Sequence, residues 1–157
     1  MPTVCHPTDK QMMEVIAITN DQYQIVAHDW LIKAERVHRQ LRPKLPQDYV
    51  GRMREVFGSG AEMAVCINDD AVAGITVFRM QERTHSGREM YCDDLITDET
   101  KRSTGVGHAL MRFMETLARE RSADCLALDS GSHREQAHKF YFREGMTITS
   151  FHFVKPL

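Results

Sequence analysis

Apolar residues recur along this chain with two different periods, and the changes of period divide it into elements. Between Asp21 and about Arg39, the residues Tyr23, Val26, Trp30, Ala34 and Val37 return every three or four positions, the spacing of one helix face. Pro43 and Pro46 interrupt that pattern. Pro46 can open a second, shorter helix through Val50, Met53 and Phe57 that stops at Gly58. Met12–Ile18 reads as a short opening strand before the first helix. Strand material follows the second helix: Glu62–Ile67 and Ala71–Met80, joined by the polar turn Asn68-Asp69-Asp70. The second of these runs is apolar at nearly every position, as expected of an inner strand covered on both faces. Residues 83–88 read as a loop, and Glu89–Thr97 as the next strand.

The helical period then returns. Val106, Ala109, Leu110, Phe113, Met114, Leu117 and Ala118 form one apolar stripe, with Arg112, Glu115, Arg119 and Glu120 mostly opposite. This predicts an amphipathic helix from about Gly105 to Arg121, followed by a short buried strand over Cys125–Asp129. Ser132-His133-Arg134-Glu135 fits a capping box, which starts a further helix ending at Gly145. Thr147–Val154 alternates well enough for a final strand, stopped by Pro156. Strands and helices in this order predict a mixed α/β or α+β layer fold. With no repeat, linker or low-complexity tract, residues 1–157 read as a single domain.

Composition narrows the classes of function. The 157 residues are 42% hydrophobic and 27% charged, the proportions of a soluble protein with a packed core. The net charge of −2 argues against a nucleic-acid or anionic-membrane binder, which would be more basic. No run approaches the roughly 20 apolar residues of a membrane-spanning helix. The first residues lack the basic and apolar regions of a signal peptide, so a cytosolic location is expected. Cys5, Cys66, Cys92 and Cys125 are scattered without C-x-x-C spacing, which suits free thiols.

The segment from Leu95 to His108 carries the candidate chemistry. A buried strand runs into a loop, and the loop opens the amphipathic helix. The first amides of a helix have no internal partners, and its dipole favours an anion there. Gly105 and Gly107 let the backbone come close to a ligand, and Lys101 and Arg102 add positive charge. A phosphate or pyrophosphate is the natural ligand. The sequence is neither a Walker loop nor a dinucleotide fingerprint, since no G-x-x-x-x-G-K-[ST] occurs and the third glycine position is Leu110.

Arg102-Ser103-Thr104-Gly105-Val106-Gly107 resembles the R-x-x-G-x-G/A signature of the GNAT superfamily of acyl-CoA-dependent N-acyltransferases. Ala137-His138-Lys139-Phe140-Tyr141 through Gly145-Met146 is similar to its second signature, A-x-x-F-Y-x-x-x-G-F, with Met146 for the usual Phe. Leu128-Asp129-Ser130-Gly131 with Arg134 resembles a subset of bacterial members. The resemblance implies a mixed, mostly antiparallel central sheet flanked by about four helices. It also implies acetyl-CoA as co-substrate, laid in a V-shaped opening between the strand ending at Thr97 and the strand at 125–129. Leu95, Ile96 and Thr97 would then hydrogen-bond the pantetheine arm. Arg102, Ser103, Thr104, Gly105, Val106, Gly107 and His108 would cradle the pyrophosphate, and His138 and Tyr141 would line the opposite wall. Ser103 stands where Gly is common, which asks for an ordinary backbone conformation there.

Amide formation from an amine and a thioester needs a neutral amine and a proton for the departing thiolate. Tyr141 stays protonated at neutral pH and can supply that proton; the alternative is a packed aromatic with a satisfied hydroxyl. Asp93 and Asp94 interrupt a buried strand and point to opposite faces, so at most one faces the substrate. Asp94 is the favoured base, Glu89 a second candidate, and a structural or substrate-orienting carboxylate an equal reading. The eight histidines lack metal-ligand spacing, so no metal is expected, and His152 reads as a packing or pocket residue. No cysteine has activating neighbours, which favours direct attack in a ternary complex. The tail from Ala137 to Lys155 looks similar to that of bacterial aminoalkylphosphonate acetyltransferases. A compact, anionic small-molecule amine is therefore one acceptor, beside aminoglycosides, polyamines and amino acids. A protein or peptide amine is the main enzymatic alternative, and a non-catalytic acyl-CoA-binding sensor the other class. The resemblance also admits a homodimer.

Overall fold

Two aspartates set the geometry of the central hairpin. Asp69 and Asp70 both take positive φ, 51° and 58°, which lets paired strands keep their right-handed twist through a two-residue turn. This turn joins β2 (Ala61–Asn68) to β3 (Ala71–Arg83). β1 (Glu14–Ala17) pairs with β2, and β4 (Gly87–Thr97) with β3, every pair antiparallel. β5 (Cys125–Leu128) joins β4 in parallel and completes a five-stranded sheet in the order β1-β2-β3-β4-β5. These elements come from a computed structural model that describes residues 13–157; Met12 and Cys5 lie outside it.

Helices cover both faces of the sheet, which explains why β2 is buried along its whole length and β3 over Val72–Phe78. α1 (His28–Leu41) and α2 (Tyr49–Gly58) bury Leu31, Ala34, Val37, Met53 and Phe57 against Met63, Val65, Ile75 and Val77. The alternate residues of the same strands, Ala64, Cys66 and Phe78, turn to α3 (Val106–Glu120) and meet Leu110, Met111, Met114 and Ala118. Phe140 of α4 (Glu135–Arg143) packs at the margin of this second core. The mixed, mostly antiparallel sheet with four helices is the fold class expected from the sequence. Gly74 permits the close seat of α3 on β3. A Cβ there would lie 2.5 Å from Val106 Cγ1 and 2.9 Å from the Ile96 carbonyl oxygen.

Several element boundaries differ from the sequence reading. α1 starts at His28, not near Asp21, because the Asn20 side chain accepts hydrogen bonds from the Gln22 and Gln24 amides. That local turn competes with helix and leaves Tyr23 and Val26 exposed. The Ser132 capping box does not form. Arg134 occupies the N-cap of α4 without a side-chain cap, since residues 131–134 close a turn through Arg134 N and Gly131 O at 3.0 Å. The final strand over Thr147–Val154 is also not formed; this segment runs without helix, turn or bend and joins no sheet. Gly145 does close α4 as expected, with φ 84° and the Met146 amide donating to Tyr141 O.

Candidate active site

β4 parts from β5 at Cys92, and this divergence makes the cavity. Pairing runs from Glu89–Cys125 to Cys92–Leu128 and then ends, while β4 continues to Thr97 along β3. Backbone groups of Leu95–Thr97 that face away from β3 therefore meet no strand. Asp93 is the extra residue of a bulge here, because Asp94 pairs with Val77 while Cys92 pairs with Phe78. The space between the end of β4, the start of α3 and α4 is a cavity of about 800 Å³, large enough for a cofactor-sized ligand.

The α3 end of the cavity is built for an anion. Ala109 N, donating to Gly105 O, makes the first hydrogen bond of the helix, so the amides of Val106, Gly107 and His108 lack helical partners. Gly105 turns the chain into the helix with φ 91°, a left-handed conformation that favours glycine. A Cβ on Gly105 would meet only Met13 Cε at 3.9 Å, so that position is open as well as strained. Gly107 has a different role. A Cβ there would come within 3.0 Å of Phe140 Cζ, so this glycine lets α4 close against α3. Ser103 corrects the sequence reading: its φ is 61°, so the loop does need a left-handed residue where the signature commonly has Gly.

Of the residues expected to hold a cofactor, Leu95, Ile96, Thr97, Arg102, Ser103, Gly105, Val106, Gly107, His108 and Tyr141 line the cavity. Thr104 lies in the same loop and donates to Lys101 O at 2.5 Å. His138 is not a lining residue. Its Nε2 donates to Gly131 O at 2.9 Å and fastens the loop between β5 and α4. Arg134 and Arg143 add cations to the α4 wall, while Glu144 sits 3.0 Å from His108 Nδ1. Burial pushes the Tyr141 phenol up to about 12, with the neighbouring Cys92 adding to the effect. The hydroxyl is therefore neutral across the physiological range.

Asp94 lies outside the lining and inside an ion-pair network. Arg42 Nε donates to its Oδ1 and buried His38 Nε2 to its Oδ2, each at 2.7 Å, and Tyr49 donates to His38 Nδ1 at 2.9 Å. Burial works upward on the Asp94 carboxyl, but the hydrogen bonds from His38 and Arg42 outweigh it and hold it below the ordinary range. Asp93 pairs with Arg79 Nη2 at 2.7 Å, and Arg79 also reaches Ser59 O at the end of α2. Both aspartates thus meet groups on the α1–α2 side, where simple alternation predicted opposite faces. The bulge is the cause. Glu89 is buried at the far end of β4, bonded to Ser86 Oγ at 2.9 Å and paired with Arg83 at 3.3 Å. Tyr91 donates to Asp129 Oδ2 at 2.7 Å, and His152 Nδ1 lies 3.0 Å from the same oxygen.

Sequence reasoning missed Asp98, the residue that anchors the loop before α3. It pairs with Arg36, accepts from Gln40 and the Thr100 amide, and donates its own amide to Ala73 O. The signal available was an Asp directly after a strand and two residues before a Thr, the pattern of a local cap. Burial works upward on this carboxyl too, yet the hydrogen bonds from Arg36, Thr100 and Gln40 bring it to about 2.

Burial likewise pushes the thiols of Cys92 and Cys66 up, to about 12 and about 11. Neither provides a thiolate at neutral pH.

Comparison with known proteins gives a family from the sequence and a fold likeness from the structure. The sequence model described as Acetyltransferase (GNAT) family matches residues 20–146. The uncharacterized N-acetyltransferase YhdJ of Bacillus subtilis (strain 168) is 36% identical over 74 residues, 46% of this chain and 52% of that protein. An aminoalkylphosphonate N-acetyltransferase of Salmonella typhimurium is 28% identical over 94 residues, 59% of this chain and 61% of the relative. The matched stretches thus span between half and two thirds of these relatives. Among solved structures, the aminoglycoside N-acetyltransferase AAC(6')-Iy in complex with CoA superposes with a TM-score of 0.81 at 12% identity. The match covers 97% of this chain and 99% of that one, a likeness of fold.

Proposed function

This chain belongs to the GNAT acetyltransferase family, and we propose that it transfers an acetyl group from acetyl-CoA to the primary amine of a small molecule. One observation carries this reading: a single cavity joins the unpartnered amides of Val106–His108, the open backbone of Leu95–Thr97 and the neutral Tyr141 hydroxyl. The amides and Arg102 suit a diphosphate. The backbone of β4 suits the amide groups of a pantetheine arm, which then leads toward the point where β4 and β5 part. The CoA-bound fold neighbour and the amine substrate in the name of the Salmonella relative support the same assignment.

The chemistry we assign is direct attack in a ternary complex. The amine nitrogen adds to the thioester carbonyl, the carbon–sulfur bond breaks, and the departing sulfur takes the Tyr141 proton. The ammonium formed on the new amide nitrogen loses a proton, and Tyr141 is restored by way of solvent. The elevated thiols of Cys92 and Cys66 support this route over an acyl-enzyme. Asp94, expected as the base, takes the structural alternative in this reading: its ion pair with Arg42 and the hydrogen bond from His38 keep it charged and engaged. Free thiols at Cys66, Cys92 and Cys125 support a cytosolic setting.

Calorimetry with acetyl-CoA, followed by thiol release across a panel of amines, tests the proposal. Binding with release for a small amine supports it; release only with peptide amines moves the acceptor to proteins. Binding without release for any amine makes the chain a sensor, and no binding removes the reading.

A further inference from the structure

Cations stand at both ends of the cavity, and only one end holds the phosphate cradle. His108 at the start of α3 meets Glu144 at the close of α4, so the C-terminal end of α4 lies against that cradle. Arg134 precedes the first residue of α4 and Arg143 is the last, about 14 Å apart along a helix axis. A diphosphate on the amides of Val106–His108 is within the sphere of Arg102 and Arg143, and Arg134 is left for a charge at the other end. Its side chain caps no amide of α4. No carboxylate pairs with it among the described residues.

The same guanidinium looks toward the reacting end. Arg134, Ala137 and Tyr141 follow at i, i+3 and i+7, one stripe of α4, and all three line the cavity. Ala137 puts only a methyl between the guanidinium and the phenol. His138, the other residue of that turn, is engaged with Gly131 O. Burial raises the Tyr141 phenol, and Arg134 is the cation that works the other way.

Acetyl transfer creates a charge at this place. When the carbon–sulfur bond breaks, its electron pair goes to sulfur. A phenol at about 12 yields its proton to a thiolate of ordinary proton affinity, about 8.5, against a gap of roughly three powers of ten. The proton alone therefore leaves the departing sulfur poorly stabilised. A cation fixed in place beforehand answers that charge without reorganising as it appears.

Resting on the acetyl-transfer reading, we propose that Arg134 is a catalytic residue whose guanidinium pairs with the departing sulfur while Tyr141 supplies its proton. The amine nitrogen bonds the acetyl carbon, sulfur leaves with the electron pair of the broken bond, and Arg134 ends the cycle unchanged.

The test needs no knowledge of the acceptor, because the product CoA carries the same sulfur. Calorimetry compares CoA with desulfo-CoA, which lacks the thiol, from about pH 6.5 to pH 9.5, across the ionisation of an ordinary thiol. Tyr141, Cys92, His133 and Glu135 also titrate around this end of the cavity, and they are common to both ligands, so the ratio of the two affinities reports the sulfur. In the parent, CoA is expected to gain at least about tenfold over desulfo-CoA as the pH rises, the size of a charge-assisted contact. Arg134→Ala, checked for a native circular dichroism spectrum, is expected to lose that gain while still binding desulfo-CoA, and Arg134→Lys to keep most of it. An equal gain in Arg134→Ala overturns the proposal, as does a parent whose two affinities stay parallel. Should Arg134→Ala fail to fold, Arg134→Gln decides in its place. Binding of neither ligand by the parent overturns the acetyl-transfer reading and this inference with it, whereas binding of both with no gain overturns the role of Arg134 alone.

Discussion

Burial, more than any charged neighbour, sets the proton affinity of Tyr141, and that has kinetic consequences. A phenol held near 12 does not ionise in the range around neutral pH, so it stays protonated there. Loss of turnover below about pH 11 is therefore not expected to arise from Tyr141. Tyr141→Phe removes the proton that the proposed mechanism assigns to the departing sulfur while keeping the ring against Phe140. We expect kcat to fall about 100-fold or more with acetyl-CoA affinity nearly unchanged, measured by steady-state thiol release and calorimetry. Gly107 makes a second prediction at this scale. Its added methyl would press on Phe140 at 3.0 Å, so Gly107→Ala is expected to cost about 1–3 kcal/mol in a denaturant melt. Phe140→Leu in the same background is expected to recover part of that loss. Single residues were unevenly legible. Tyr141 could be placed from its motif, but Asp94 could not, because a bulge at Asp93 defeats the two-residue alternation on which its orientation was judged. The left-handed turn at Ser103 escaped for a related reason, since side-chain identity only weakly reports a φ that the surrounding loop imposes.

Among the elements, the link between β4 and α3 depends on a residue of α1. Asp98 caps the 3-10 turn Glu99–Lys101 and pairs with Arg36, so the loop before α3 is tied to the opposite face of the sheet. Its carboxyl is lowered to about 2, against about 4 in an unfolded chain. A depressed carboxylate stabilises the fold above the unfolded value, and that stabilisation is lost as pH falls through the folded one. Asp98→Asn is thus expected to cost about 1–3 kcal/mol near neutral pH and to match the parent by about pH 2, read from urea melts over that window. Elements with long, strong periodicity, such as α3 and β3, were legible in the sequence. Those that failed did so where local hydrogen bonds compete with helix, as at Asn20, or where pairing depends on something beyond the segment itself. Thr147–Val154 alternates as a strand does, yet alternation says nothing about which edge it meets.

At the scale of the whole molecule, β2, β3 and β4 form an antiparallel meander, β1 reaches β2 across α1 and α2, and the β4-α3-β5 crossover supplies the parallel pairing. The family signatures carried this topology, because they mark the entry to α3 and the helix that follows β5, while periodicity alone left an α/β or α+β choice open. The β2-β3-β4 pairings are close in sequence and close at small entropic expense, whereas β5 must return to β4 across a whole helix. The crevice lies on the boundary between this β2-β3-β4 platform and a flap made of α3, β5 and α4. Saturating acetyl-CoA is expected to retard amide exchange in that flap at least tenfold while leaving the platform amides almost untouched, followed by mass spectrometry. The parting of β4 from β5 is then a seam as well as a berth: an occupant would staple β4 on one bank to α3 and α4 on the other.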